Sequence, residues 1–181
     1  MSEKKNDAAM GKLTVTLGAI CAVCALLLGL TNMATAGTIA SIQKAKNDAA
    51  MAQVLPFDGE YTAVDYTGGD ATVQSVHQAG DQGYVVEISP SGSFSGTLTI
   101  MVGVKSDLTV SGVAVTKSGE TSGLGDNAKR QDFRDRFVGS SGEVKVTKDG
   151  GKIQALTGAT ITSRAVCAGV TTALAVAAEL G

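Results

Sequence analysis

Two glycine-bearing segments carry the side chains best placed for chemistry. One is Leu156-Thr157-Gly158-Ala159-Thr160-Ile161-Thr162-Ser163-Arg164, immediately before an apolar stretch with helical spacing. It has two readings. Its hydroxyls cap the helix by accepting from orphan first-turn N–H groups. Alternatively, those N–H groups and the partial positive charge of a helix start hold an anion such as a phosphate. Arg164 would then add a charge-assisted contact. The spacing supports both readings. The other segment is Ser118-Gly119-Glu120-Thr121-Ser122-Gly123-Leu124-Gly125, between a strand-like and a helix-like stretch. Glycines there let backbone N–H groups approach a ligand closely, although most glycine-rich loops are plain turns.

The remaining inventory excludes more than it offers. The chain has one histidine, three cysteines and no tryptophan. A two-histidine metal site and a four-cysteine zinc or iron–sulfur site are therefore excluded within one chain. An odd cysteine count does not make a disulfide framework. A net charge of −2 argues against a nucleic-acid partner, which calls for a basic stripe. His77 falls in an alternating segment and reads as a surface or edge residue. Cys167 reads as a core residue of the last helix. Cys21 and Cys24 form a C-x-x-C inside an apolar segment, where buried helix packing outweighs redox or metal chemistry.

The elements that must position these groups fall into two parts. Residues 13–43 contain no Asp, Glu, Lys or Arg, a run of 31. A bilayer-spanning helix needs about 20 mostly apolar residues, so residues 13–34 are read as a transmembrane helix. Lys4, Lys5 and Lys12 precede the run, while Lys44 and Lys46 follow further from its apolar core. The positive-inside rule puts residues 1–12 in the cytoplasm and the rest of the chain beyond the membrane. A cleaved signal peptide ending near Ala34-Thr35-Ala36 is the competing reading, and a buried core helix a third. Ile39, Ile42, Ala45, Ala49, Ala52 and Leu55 continue the helical spacing up to Pro56. That continuation favours the anchor, with residues 35–56 as a helical stalk.

Residues 57–181 read as one small α+β domain. Stretches near 71–78, 84–89, 96–104 and 109–117 are rich in Val, Ile and Thr and bounded by turn residues, which predicts strands. Lys105-Ser106-Asp107 is the expected hairpin loop. Tyr84, Val86 and Ile88 form an inward set, so an antiparallel sheet with one buried face is expected. Residues 126–137 predict a short surface helix with Phe133 and Phe137 on its inner edge. Residues 144–147 and 153–155 predict brief strands. The last helix is expected over 161–180, with Ile161, Ala165, Val166, Gly169, Val170, Ala173, Leu174 and Ala177 on its apolar face. Helices segregated after the sheet favour α+β over α/β.

The segment LTGATITSRAV at residues 156–166 resembles the covalent-flavin attachment motif of the FMN-binding domain family. That family includes the RnfG component of Rnf electron-transport complexes and a C-type component of the sodium-translocating NADH:quinone reductase. Glu120-Thr121-Ser122-Gly123-Leu124-Gly125 is similar to the family's E-T-x-G-L-G loop. The AQVLP stretch at 52–56 and the strands near 83–88 and 96–103 match in order, and the short length resembles RnfG more. The resemblance implies FMN esterified through its phosphate to Thr160. Thr157, Gly158, Ala159, Ile161 and Thr162 would surround it, with Glu120, Thr121, Gly123, Leu124 and Gly125 ranked below. A threonine hydroxyl is a poor nucleophile without an adjacent base, and the motif has neither His nor carboxylate. That chemistry disfavours self-attachment, and the resemblance implies an external flavin transferase of the ApbE type, using FAD and Mg²⁺. Gln154 stands where the family commonly has an aspartate. Of Phe94, Phe133 and Phe137, all read as core, one would have the option of packing on the flavin.

The function so implied is electron transfer within a membrane complex that couples ferredoxin and NAD redox chemistry to Na⁺ or H⁺ movement. The lipid bilayer and the other Rnf subunits would be the partners, and the flavin domain would be extracytoplasmic. Two alternatives stand beside it. One is a quinone-reductase C-type component or stand-alone extracytoplasmic flavin carrier. The other is a non-redox structural component of a membrane complex, in which TGAT only caps a helix.

Overall fold

The computed structural model describes residues 3–181, with side chains described from residue 11. Lys4 and Lys5, on which the expected orientation partly rests, therefore have side chains outside the described residues.

The charge-free run lies within one unbroken helix, α1 (Glu3–Val54). It is long and apolar enough to cross a membrane, and its most apolar window is entirely unburied. Leu28 is 72% exposed and Leu26 65%. A row of bare leucines is stable only in lipid or against other apolar helices. The polar residues in the run are satisfied locally. The Thr31 hydroxyl donates to the Leu27 carbonyl (2.7 Å), and Thr35 donates to Thr31 (2.9 Å). Such back-bonding removes the cost of a hydroxyl in hydrocarbon.

The chain forms two compact units, residues 1–45 and 46–181. In the second, five strands form an antiparallel meander: β1 (Thr62–Val64), β2 (Val73–Gln78), β3 (Gly83–Ile88), β4 (Thr99–Lys105) and β5 (Val110–Lys117). The α+β expectation is borne out. β1, three residues long, escapes sequence reading because it is too short for an alternation. One sheet face presents Val86, Ile88, Ile100, Val102 and Val104. They pack against the last helix, α3 (Thr160–Leu180), and against Phe133 and Phe137.

The opposite face is also buried, which corrects the expectation of a single covered face. Met51, Val54 and Leu55, from the end of α1 and the residue after it, cluster there with Ala79, Val85, Met101 and Ala114. Close approach is possible because Gly103 and Gly112 are cross-strand partners in β4 and β5. A Cβ on Gly112 would lie 2.9 Å from the Val54 carbonyl oxygen, and one on Gly103 would collide with the same atom. The Tyr61 hydroxyl donates to the Leu55 carbonyl at 2.6 Å, satisfying one acceptor at the helix end. Overpacking a filled site costs about 1–3 kcal/mol. Gly103→Val should therefore lower the melting temperature of the full chain in detergent by several degrees, and an unchanged melt would refute this contact.

Three further expectations are corrected. Residues 126–137 are not one helix. A 3₁₀ turn (Gly125–Lys129) is followed by α2 (Gln131–Arg134) and a second 3₁₀ turn (Asp135–Phe137). The break is at Arg130, whose backbone is extended. Phe133 and Phe137 are nevertheless fully buried, edge to face with centroids 5.3 Å apart. The brief strands at 144–147 and 153–155 reduce to one parallel bridge, Val146 to Ile153, around a 3₁₀ turn at Thr147–Asp149. Left-handed Gly150 (φ 80°) ends that turn before a strand pair can extend. Phe94 and Ile161, expected inside, are 68% and 50% exposed.

Candidate functional site

The turn before α3 is built by one hydroxyl. Ser163, fully buried, donates to the Ala159 carbonyl and accepts from the Leu156 N–H, both at 2.9 Å. This pins residues 156–159 onto the helix start. Gly158 takes φ +74° there, a conformation that any Cβ disfavours. The helix cap is Ala159, with no side-chain capping bond. Capping by the motif's hydroxyls is therefore not what the structure shows. The first-turn N–H groups lack a side-chain acceptor, as an anion site requires.

Thr162 turns away from the cap and donates to Glu120 Oε2 at 2.5 Å. The other oxygen, Oε1, accepts from the Ser95 N–H (3.0 Å) and the Ser95 hydroxyl (2.9 Å). One carboxylate, 8% exposed, thus ties three segments together: the loop at 93–97, the E-T-x-G-L-G loop and α3. Burial pushes the Glu120 carboxyl up. Hydrogen bonds from Thr162, Ser95 and the Phe94 backbone more than reverse this and hold it below the ordinary glutamate range. Gly125 is required beside this latch. A Cβ there would sit 2.5 Å from Glu120 Oε2 and 2.6 Å from the Thr162 hydroxyl.

The two motifs meet in a cavity of about 390 Å³, within the range of small-molecule sites. Nine of the eleven residues expected at the site line it: Glu120, Thr121, Leu124, Gly125, Gly158, Ala159, Thr160, Ile161 and Thr162. Thr157 and Gly123 do not; both are exposed. Gly123 instead shapes its loop, with φ +78° and a carbonyl that accepts from Asn127 at 2.7 Å.

Two lining residues were missed as site residues or misplaced, Lys148 and Phe94. Lys148 comes from the 3₁₀ turn at Thr147–Asp149, and no motif marks it. Phe94 looked like core because an isolated aromatic carries no periodicity.

Arg164 does not reach the cavity. It is exposed and paired with Asp149 in a fork, Nε to Oδ2 at 2.7 Å and Nη2 to Oδ1 at 2.6 Å. That guanidinium holds the Asp149 carboxyl below its usual range. Cys167 is buried, as expected, and burial pushes its thiol up to about 12, which leaves it inert as a nucleophile. His77 lies on β2 and is half-buried. A larger cavity of about 590 Å³ beneath the loop that joins β1 to β2 shares no residue with the motif site. No cluster of three metal-ligating side chains occurs among the described residues.

The donor set fits a flavin mononucleotide. Phe94, Leu124 and Ile161 give flat apolar contacts for a ring system. Thr160, Lys148 and the uncapped helix start suit a phosphate.

Comparison with known proteins agrees with this chemistry. Residues 93–175 match the family model described as FMN-binding domain, and residues 1–54 match that described as RnfG N-terminal region. The G subunit of the Na⁺-translocating ferredoxin:NAD⁺ oxidoreductase complex from Acetobacterium woodii is 33% identical, covering 88% of this chain and 87% of the relative. The G subunit of an ion-translocating oxidoreductase complex from Methanosarcina acetivorans is 34% identical, covering 92% of each. Its counterpart from Cereibacter sphaeroides is 34% identical, covering 83% of this chain and 76% of the relative.

Proposed function

The chain belongs to the RnfG family of Rnf-type ion-translocating oxidoreductase complexes, and from that membership we propose that it is a membrane-anchored electron-transfer subunit whose FMN is esterified through phosphate to Thr160. The observation that carries this reading is the convergence of both motifs on one cavity beside Thr160. The flavin supplies the redox chemistry, accepting and passing electrons between neighbouring centres of the complex. The chain's own residues bind and orient it. Phe94, Leu124 and Ile161 wall the ring, and the Glu120 latch holds the two loops in place before any ligand arrives.

Attachment needs a second enzyme. Among the described residues the only carboxylate lining the cavity is Glu120, and its oxygens are taken by Thr162 and Ser95. It is therefore a poor base for activating Thr160. A flavin transferase of the ApbE type with FAD and Mg²⁺ supplies that function. The Thr160 oxygen attacks the FMN-side phosphorus of FAD and the pyrophosphate bond breaks. AMP leaves, and the hydroxyl proton passes to a base of the transferase. Family membership supports membrane anchoring, and Lys4, Lys5 and Lys12 ahead of the apolar run support an inner-membrane orientation with the N-terminus cytoplasmic and the flavin domain outside.

Co-production with such a transferase, followed by denaturation, should leave flavin fluorescence on the band of this chain. A dark band under conditions that label a control flavoprotein would refute the covalent assignment. Protease added to spheroplasts should digest the flavin domain. Its survival, with an outer-face control cut, would reverse the topology.

A further inference from the structure

Among the described residues, Lys148 and Glu120 are the only side chains lining the attachment cavity that carry formal charge. Glu120's oxygens are consumed by Ser95 and Thr162. That leaves the lysine as the one charge available to a ligand.

The turn that carries Lys148 is firmly held. The Thr147 N–H donates to Ile153 (2.8 Å), and the Asp149 and Gly151 N–H groups both donate to Val146 (2.9 and 3.0 Å). The next residue, Asp149, is the competitor adjacent in the chain, and the charges of Lys145 and Lys148 both reach it through space. Arg164 grips both of its oxygens from α3, four residues beyond Thr160. A bidentate guanidinium pair is the geometry best suited to hold a carboxylate in one orientation.

We infer that Lys148 recognises the phosphate of the flavin at Thr160, and that the Arg164–Asp149 pair is a guard that keeps this lysine from being neutralised by its own neighbour. This rests on the flavin reading of the cavity. Arg164 thus acts on the anion indirectly, as a positioning residue. Freed of its partner, Asp149 would swing to Lys148 and cancel the charge. Asparagine at 149 keeps the shape and removes the competitor.

The test uses the unmodified full chain in detergent, produced without a transferase, titrated with FMN and with riboflavin. The two ligands share the ring and differ by the phosphate. One charge-assisted contact is worth about a tenfold preference for FMN. The wild type should show it, and Lys148→Gln should lose it while Lys148→Arg keeps most of it. Arg164→Gln should lose it as well, and Arg164→Gln with Asp149→Asn should regain it. Equal or undetectable binding of both ligands by the wild type overturns the inference, as does a preference that survives Lys148→Gln. A preference that survives Arg164→Gln, or stays lost in the double variant, overturns the guard. These residues are exposed, and matched melting curves separate recognition from misfolding. Covalent labelling by the transferase is scored on separate samples. Failure of the covalent reading therefore appears as an unlabelled wild-type band, and failure of the Thr160 assignment as a labelled Thr160→Ala band, both independently of the FMN-to-riboflavin ratio.

Discussion

Thr160→Ala is expected to abolish flavin fluorescence on the denatured band, while Thr157→Ala leaves it unchanged and Thr162→Val, which loosens the bond to Glu120, dims it without abolishing it. Hydroxyls cluster at this turn, and the structure sorts them. The Thr162 hydroxyl is committed to Glu120. Ser163 is fully buried and bonded as both donor and acceptor. Thr157 lies outside the cavity lining, and Thr160 within it, at the first helical residue. The Thr160 hydroxyl makes no hydrogen bond among the described residues. Its oxygen is open to a phosphorus centre, and the uncapped first turn would stabilise the charge left on an ester formed there. Thr160→Ser, which keeps the oxygen, should remain labelled. Persistent fluorescence in Thr160→Ala would move the attachment elsewhere, with Thr121 the first alternative because it lines the same cavity.

The second large effect concerns the latch. Glu120→Ala removes the acceptor for three donors, the buried Thr162 hydroxyl and the half-buried N–H and hydroxyl of Ser95. Stranding buried donors costs about 1–3 kcal/mol each when water does not replace the lost partner. The variant should melt well below wild type and label poorly even with excess transferase. The carboxylate also sets a pH dependence. Its folded pKa lies below its unfolded value, so its stabilising contribution is complete above the unfolded value. It fades as pH falls through the folded one. Wild type should therefore lose melting temperature on acidification through the carboxylate range. Glu120→Gln should start lower and show a shallower acid limb. Parallel pH profiles would show that the charge contributes nothing.

Much of this was legible in the residues. Four of the five strands follow from Val, Ile and Thr runs between turn signals, and α3 from its apolar spacing. Both motifs could be named because glycine and threonine at fixed offsets leave a pattern. What escaped depends on contacts between distant segments. Nothing local in Gly103 or Gly112 announces that the end of α1 rests on them. Lys148 is one charged residue in a polar stretch, and only the folded turn brings it to the cavity that Thr160 also lines. Arg164 was read as an anion ligand because its partner, fifteen residues earlier, does not show in a linear reading. Ile161 fits the apolar spacing of α3, yet it stands at the helix start, beyond the reach of the sheet.

The burial of Met51, Val54 and Leu55 moves the boundary of the autonomous unit away from where lipid ends. Cutting at Pro56 would look natural, since it follows the last helical residue. It would also strip the cover from Val85, Met101 and Ala114 and open the gap above the glycine pair. A water-soluble flavin fragment has to retain the chain from Lys46 onward, keeping as a cap the piece of helix that connects it to the membrane.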